Sequence, residues 1–337
     1  MMRGQARTRP KVRAGHPNSR LRKVPLSDPL PLGGDVTPGA ARSLPAALWR
    51  AIRRDAWTLT CAIMVVAIVL LAVGADLWVA IEGQDLGENL DALGPDGLPA
   101  GALGGVSGDH WFGVQPLRGV DLFALVAYGA RVSLLVGLGA TVLATVLGVL
   151  IGASAGYIGG WWDRMVSWAS DVMLGFPSLV FMIALGAVAP IEFPRQLLLI
   201  VVLGIFGWPR VARIVRAQVL SLSKRNFVSA SRVMGGGTWH VFIKQLLPNL
   251  WAPIIIVSSL TIPSMIGNEA ALSFLGAGVL PPTPSWGRTI SDAIDYFETD
   301  PMYLVFPGLM LFLITLAFNV VGDSIRDEFD PRSEGRG

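Results

Sequence analysis

A chain of 337 residues with 52% hydrophobic and only 15% charged residues, and a mean hydropathy of +0.55, is too apolar for a water-soluble globular domain and predicts an all-α polytopic membrane protein. Its net charge of +3 does not ask for a nucleic-acid partner, because basic residues gathered in loops on one membrane face give the same balance. The single cysteine, Cys61, excludes an intramolecular disulfide framework, and His16, His110 and His240 have no metal-ligating neighbour at ligand spacing, so neither a metal site nor a catalytic centre is expected.

Residues 1–55 hold twelve Lys and Arg against three Asp and show no apolar period, which predicts a basic, disordered cytosolic tail whose charges meet anionic lipid. An uncharged run containing CAIMVVAIVLLAVGA predicts the first transmembrane helix over 56–80. The long basic leader, with no small-residue cleavage site after Ala75, argues for a retained anchor rather than a signal peptide. Residues 81–121 carry seven acids and only Arg118, as an extracytoplasmic loop does. Five more apolar stretches follow within 122–322: 122–162, 172–191, 196–215, 245–268 and 301–322. The connection over 210–244 has seven cations and no acid, whereas 271–300 has four acids and Arg288. Charge alternation therefore predicts six transmembrane helices with both termini cytoplasmic, 323–337 being a cytosolic tail.

The second span places Ala140, Ala144, Gly148, Gly152 and Gly156 four residues apart, hence on one helix face where another backbone can approach closely. The pattern fits tight packing within the chain or a contact with another subunit, and leaves both open. Pro177, Pro209, Pro253, Pro263 and Pro307 lie in or beside spans and predict kinks. Ionisable groups near the bilayer are scarce; Arg131, Asp171 and Glu269 fall close to span ends, where pairing or snorkelling accounts for them. That scarcity weighs against a proton-coupled secondary carrier, and no histidine in a span offers a membrane-embedded enzyme its base.

The segment 210–249 is too polar to span, and it interleaves its cations with apolar residues such as Val219, Leu222, Phe227, Val228, Val233 and Met234. A cytosolic helix that offers a face to a partner protein has this pattern; a basic helix lying on the membrane is the alternative. Within it, SASRVMG at 229–235 and QLLPN at 245–249 resemble the coupling loop of the permease subunits of dipeptide/oligopeptide and nickel type I ATP-binding-cassette importers. Further segments resemble the same family: HWFG at 110–113, DLFALVAYGARVSLLVG at 121–137, GYIGGWWDR at 156–164, FPSLVFMIAL at 176–185, ALSFLGAGVLPPTPSWG at 271–287 and the run from Phe306 to Arg332. Ser229 stands where the family usually has Glu, and Gln245 where it commonly has His.

The resemblance implies a type I importer transmembrane fold in the cell membrane, with 122–322 as its permease core, and Ser229, Ala230, Ser231, Gly235, Leu247 and Pro248 as the ATPase-coupling loop. It further implies a homologous second permease, two ATPase subunits that bind ATP and Mg, and an extracytoplasmic substrate-binding protein as partners. The chain has no GxxxxGK[ST] phosphate loop, so ATP hydrolysis is expected from those partners and no cofactor from this chain. A dipeptide or oligopeptide is the expected cargo, with nickel or another small solute as the alternative; no substrate-contact residue is singled out by the sequence.

Overall fold

The computed structural model describes residues 44–53, 55–188, 190 and 193–329, all within the unit Leu44–Gly337. The basic tail expected over 1–55 falls largely outside these residues, as does the end of the tail expected over 323–337. Among the described residues every regular element is helical. Helix α1 is Leu44–Arg53, α2 Ala56–Val73 and α3 Ala75–Glu82, followed by a segment without long helices. Then come α4 Leu122–Ile158, α5 Gly160–Gly175, α6 Ser178–Val188, α7 Arg195–Leu222 and α8 Asn226–Val233. A short α9, Thr238–His240, runs on as a π-turn and a 3₁₀ turn to Asn249; α10 Trp251–Phe274, α11 Trp286–Ala293 and α12 Pro301–Phe329 complete the order.

Helices α2, α4, α7, α10 and α12 are long and apolar enough to cross a bilayer, and a sixth crossing follows if α5 and α6 count together. That pair is bent by 79°, at the Pro177 kink expected within the third span over 172–191. The cause is Pro177, which lacks an N–H and disfavours helical backbone in the residue before it; Phe176 is accordingly extended, at ψ 140°. The fifth span begins at Trp251 rather than residue 245, because the preceding residues wind as π and 3₁₀ turns around Pro248. At 37 residues, α4 is about 55 Å long and outruns a hydrocarbon core of about 30 Å. Asp121 caps its start by accepting the Ala124 N–H at 2.8 Å.

The stripe of small residues on α4 packs inside the chain, against α7. A Cβ at Gly148 would stand 2.5 Å from Val211 Cβ, one at Gly152 would stand 2.4 Å from Ala212 O, and one at Gly156 would stand 2.9 Å from Arg216 O. Ala140 and Ala144 are fully buried in the same direction, in a cluster with Leu199, Leu203 and Met265. On the other side of α4, Leu135, Leu138, Val142, Val146 and Leu150 are exposed, a face suited to lipid.

Polar side chains tie the helices together at their ends. Arg131 donates to Asp76 at 2.8 Å and to the carbonyls of Ala72 and Val73, which fastens α4 to the junction of α2 and α3. Asp171 on α5 pairs with Arg213 on α7. Glu269, fully buried in α10, accepts from Ser273 at 2.8 Å, and Ser273 accepts the Val279 N–H in turn. Trp286 at the start of α11 is also fully buried and donates its indole N–H to Val126 O at 3.0 Å, locking α11 to α4.

Candidate functional site

The basic loop between α7 and α10 is built on a short helix with a sharp, glycine-dependent exit. In α8, Val228 is fully buried in a cluster that also contains Val241 and Leu246 of the following turn, Val215 and Val219 of α7, Val257 of α10 and Ala153 of α4, so the core of the loop is continuous with that of three spans. The helix ends in a Schellman turn: the Gly236 N–H donates to Ser231 O at 2.9 Å and the Gly235 N–H to Arg232 O at 3.0 Å. This closure places Gly235 at φ +85°, a conformation that glycine adopts without strain.

The loop residues singled out by the sequence do not all lie on one surface. Ser229 and Ala230 are exposed; Ser231 is buried, with a Cβ at Gly236 due to meet its carbonyl oxygen at 2.7 Å. Ser231 thus belongs to the turn rather than to the outer face. In its place stand Val233 and Met234, which are 88% and 81% exposed. Pro248 is exposed and Leu247 half-buried in the 3₁₀ turn, where Asn249 donates to Gln245 O at 2.6 Å. The Tyr157 hydroxyl at the end of α4 donates to Thr238 O at 2.7 Å, bracing the far side of the loop.

A second feature was not read from the sequence. A cavity of about 130 Å³ opens between the α5–α6 bend, α7 and α10, lined among others by Phe176, Met182, Arg210, Thr261, Ser264 and Asn268. Arg210 counted there among the loop cations, but α7 continues to Leu222 and carries it about 22 Å from its start, inside a helix long and apolar enough to cross a bilayer. Ser264 and Asn268 lie one helical turn apart on α10, and both are exposed. A signal was available in the polar positions Thr261, Ser264 and Asn268, spaced three and four residues apart and hence on one face of the helix.

In the acidic loop before α4, Glu82 at the end of α3 accepts the Trp111 N–H at 2.7 Å. His110 Nδ1 lies 2.9 Å from Asp121 Oδ2, so the loop is pinned to the start of α4. Burial, with the negative Asp121 nearby, pushes the Glu82 carboxyl from 4.5 up to about 7. In the folded protein it therefore keeps a proton between those values that the unfolded chain has lost, and stability falls as pH rises through that window. Glu82→Gln removes the term. The purified variant is expected to melt above the parent at pH 8, with the difference vanishing by about pH 4.5. Thermal unfolding at a series of pH values checks this; a constant difference contradicts it.

Residues 148–335 match the family described as binding-protein-dependent transport system inner membrane component. The dipeptide transport system permease protein DppC of Alkalihalophilus pseudofirmus is 37% identical over 234 residues, 69% of this chain and 76% of that one. The glutathione transport system permease protein GsiD of Escherichia coli is 34% identical over 300 residues, 89% of this chain and 94% of that one. Among solved structures, a chain of the inward-facing MetNI methionine ABC transporter is similar at 19% identity and a TM-score of 0.41, covering 57% of this chain and 94% of that one.

Proposed function

The chain belongs to the binding-protein-dependent transport system inner membrane components and is a multi-pass permease subunit of an ABC importer, not itself an enzyme; from that premise we propose that it carries dipeptides or oligopeptides and is driven by separate ATPase subunits. The cargo reading is supported by relatives named for dipeptide and glutathione transport, both peptides. The drive is supported by one observation above others: Val233 and Met234 stand exposed at the end of a helix whose Val228 is buried in a core continuous with three spans. An exposed apolar pair on a cytosolic loop is a contact waiting for a protein partner, and its anchored neighbour is a lever into the bundle.

In this account the termini are cytoplasmic, a homologous permease forms the other half of the path, and an extracytoplasmic binding protein delivers the peptide. Two ATPase subunits, holding ATP and Mg, dock on Ser229, Ala230, Val233, Met234 and the turn at Leu247 and Pro248. Their closure moves α8, and Val228 passes the motion to α4, α7 and α10, which exchange inward-open and outward-open arrangements. Proteoliposomes holding the complete complex, with binding protein outside and ATP inside, are expected to accumulate a labelled dipeptide. Without ATP they should not; accumulation independent of ATP would identify a self-sufficient carrier.

A further inference from the structure

Helix α7 carries three arginines at three-residue spacing, and their environments differ. Arg213 pairs with Asp171 and Arg216 with Asp163, both acids lying on α5. The next arginine along the helix, Arg210, has no ion pair or hydrogen bond among the described residues, and it is exposed. It lines the cavity beside the α5–α6 bend together with Ser264 and Asn268, whose side chains likewise bond to nothing among the described residues. Thr261 on the same wall is satisfied by its own helix, donating to Val257 O at 2.7 Å. No carboxylate lines this cavity.

Polar side chains without protein partners on helices of this kind are costly against lipid tails, and an arginine most of all. They are stable only where water, protein or a passing polar solute meets them, and the wall of a translocation path supplies that condition. The chemistry of the wall is that of a carboxylate receptor. A guanidinium presents two parallel N–H groups to a carboxylate, an asparagine amide adds a further donor, and a serine hydroxyl turns to whichever role remains. With no acid lining it, the wall offers an ammonium group only neutral acceptors, the Ser264 hydroxyl and the Asn268 amide oxygen, beside the like charge of Arg210.

We propose that Arg210, with Asn268 and Ser264, forms a subsite that takes the carboxylate of the cargo as it crosses this half of the path. The proposal rests on the peptide-permease reading and adds to it which end of a peptide this subunit handles. An amino terminus finds its partners elsewhere, on the second permease or in water.

The test uses the complete transporter in proteoliposomes, with the same binding protein throughout, and compares Ala-Ala with its carboxy-terminal amide. Arg210→Gln is expected to lower Ala-Ala uptake about tenfold to a hundredfold, the loss of a charge-assisted bidentate contact. Uptake of the amide is expected to change less than about twofold, and Arg210→Lys to restore part of the Ala-Ala rate, because the charge returns without the fork. Equal losses for both peptides, or no loss for either, would overturn the subsite. So would loss of the second permease from the purified Arg210→Gln complex, which would place Arg210 in the subunit interface. If the parent transports neither peptide but does transport another solute, the peptide reading itself fails and the subsite with it.

Discussion

Replacing Gly235 with arginine is expected to reduce peptide uptake to background and to strip the ATPase subunits from the purified complex, while the chain stays in the membrane at normal abundance. Gly235 ends α8 at φ +85°, where a residue bearing a Cβ is strained by about 1–2 kcal/mol. Nothing lies within 4 Å of the position that Cβ would take, so no clash adds to this strain and the bundle still folds. The substitution instead turns the Schellman exit, and with it the exposed surface of Ser229, Ala230, Val233 and Met234, and it sets a charged side chain beside that surface. Asparagine separates the backbone effect from the surface effect, since it tolerates the left-handed conformation and is small. Gly235→Asn is expected to keep at least about half of the uptake. Membrane abundance by immunoblot, uptake and co-purification measured on both variants give the comparison; normal uptake by the arginine variant contradicts the coupling assignment.

The second large effect falls on folding. At Gly152 a Cβ alone would come within 2.4 Å of Ala212 O and 2.7 Å of Ala212 Cα, both backbone atoms of α7 that cannot swing aside. A leucine there must push α4 and α7 apart along the stripe from Ala140 to Gly156. Overpacking against backbone is expected to cost more than about 3 kcal/mol, and Gly152→Leu should accumulate in membranes several-fold less than the parent. Displacing α7 at Ala212 also draws Arg213 and Arg216 from Asp171 and Asp163, so the α5 contact is lost with it. Gly267→Ala is the control: it lies in α10 with nothing within 4 Å of its Cβ position, and it is expected to behave as the parent. Parental abundance of Gly152→Leu would contradict the packing described.

The spans were legible because hydropathy over about 20 residues is a strong, local signal. What the chain does at the ends of those spans was less so. Pro177 announced a kink, but its 79° angle depends on how α6 packs against α7 and α10, which no local pattern states. The fifth span was shifted by six residues because π and 3₁₀ turns share the composition of an α-helix. The stripe of small residues signalled a close approach without naming its partner, and only the fold supplied α7. Ser231 looked like a surface residue because serine is usually exposed, yet the Schellman turn folds back over it. Arg210 was grouped with loop cations because charge is a guide to cytosolic segments; it lies instead inside the long apolar helix α7. A charged residue in a span is the pattern's exception, and the wall it forms with Ser264 and Asn268 is assembled from two helices, α7 and α10, that are not neighbours in sequence.

The central claim is that this chain is half of a permease whose energy comes from other subunits. Purification of the tagged protein from its own membranes in mild detergent, with companions identified and counted by mass spectrometry, tests it most directly. A second permease and two ATPase subunits are expected in fixed proportion, with the ATPases lost from the Gly235→Arg variant. Recovery of the chain alone, active in transport after reconstitution without ATP, would contradict the account.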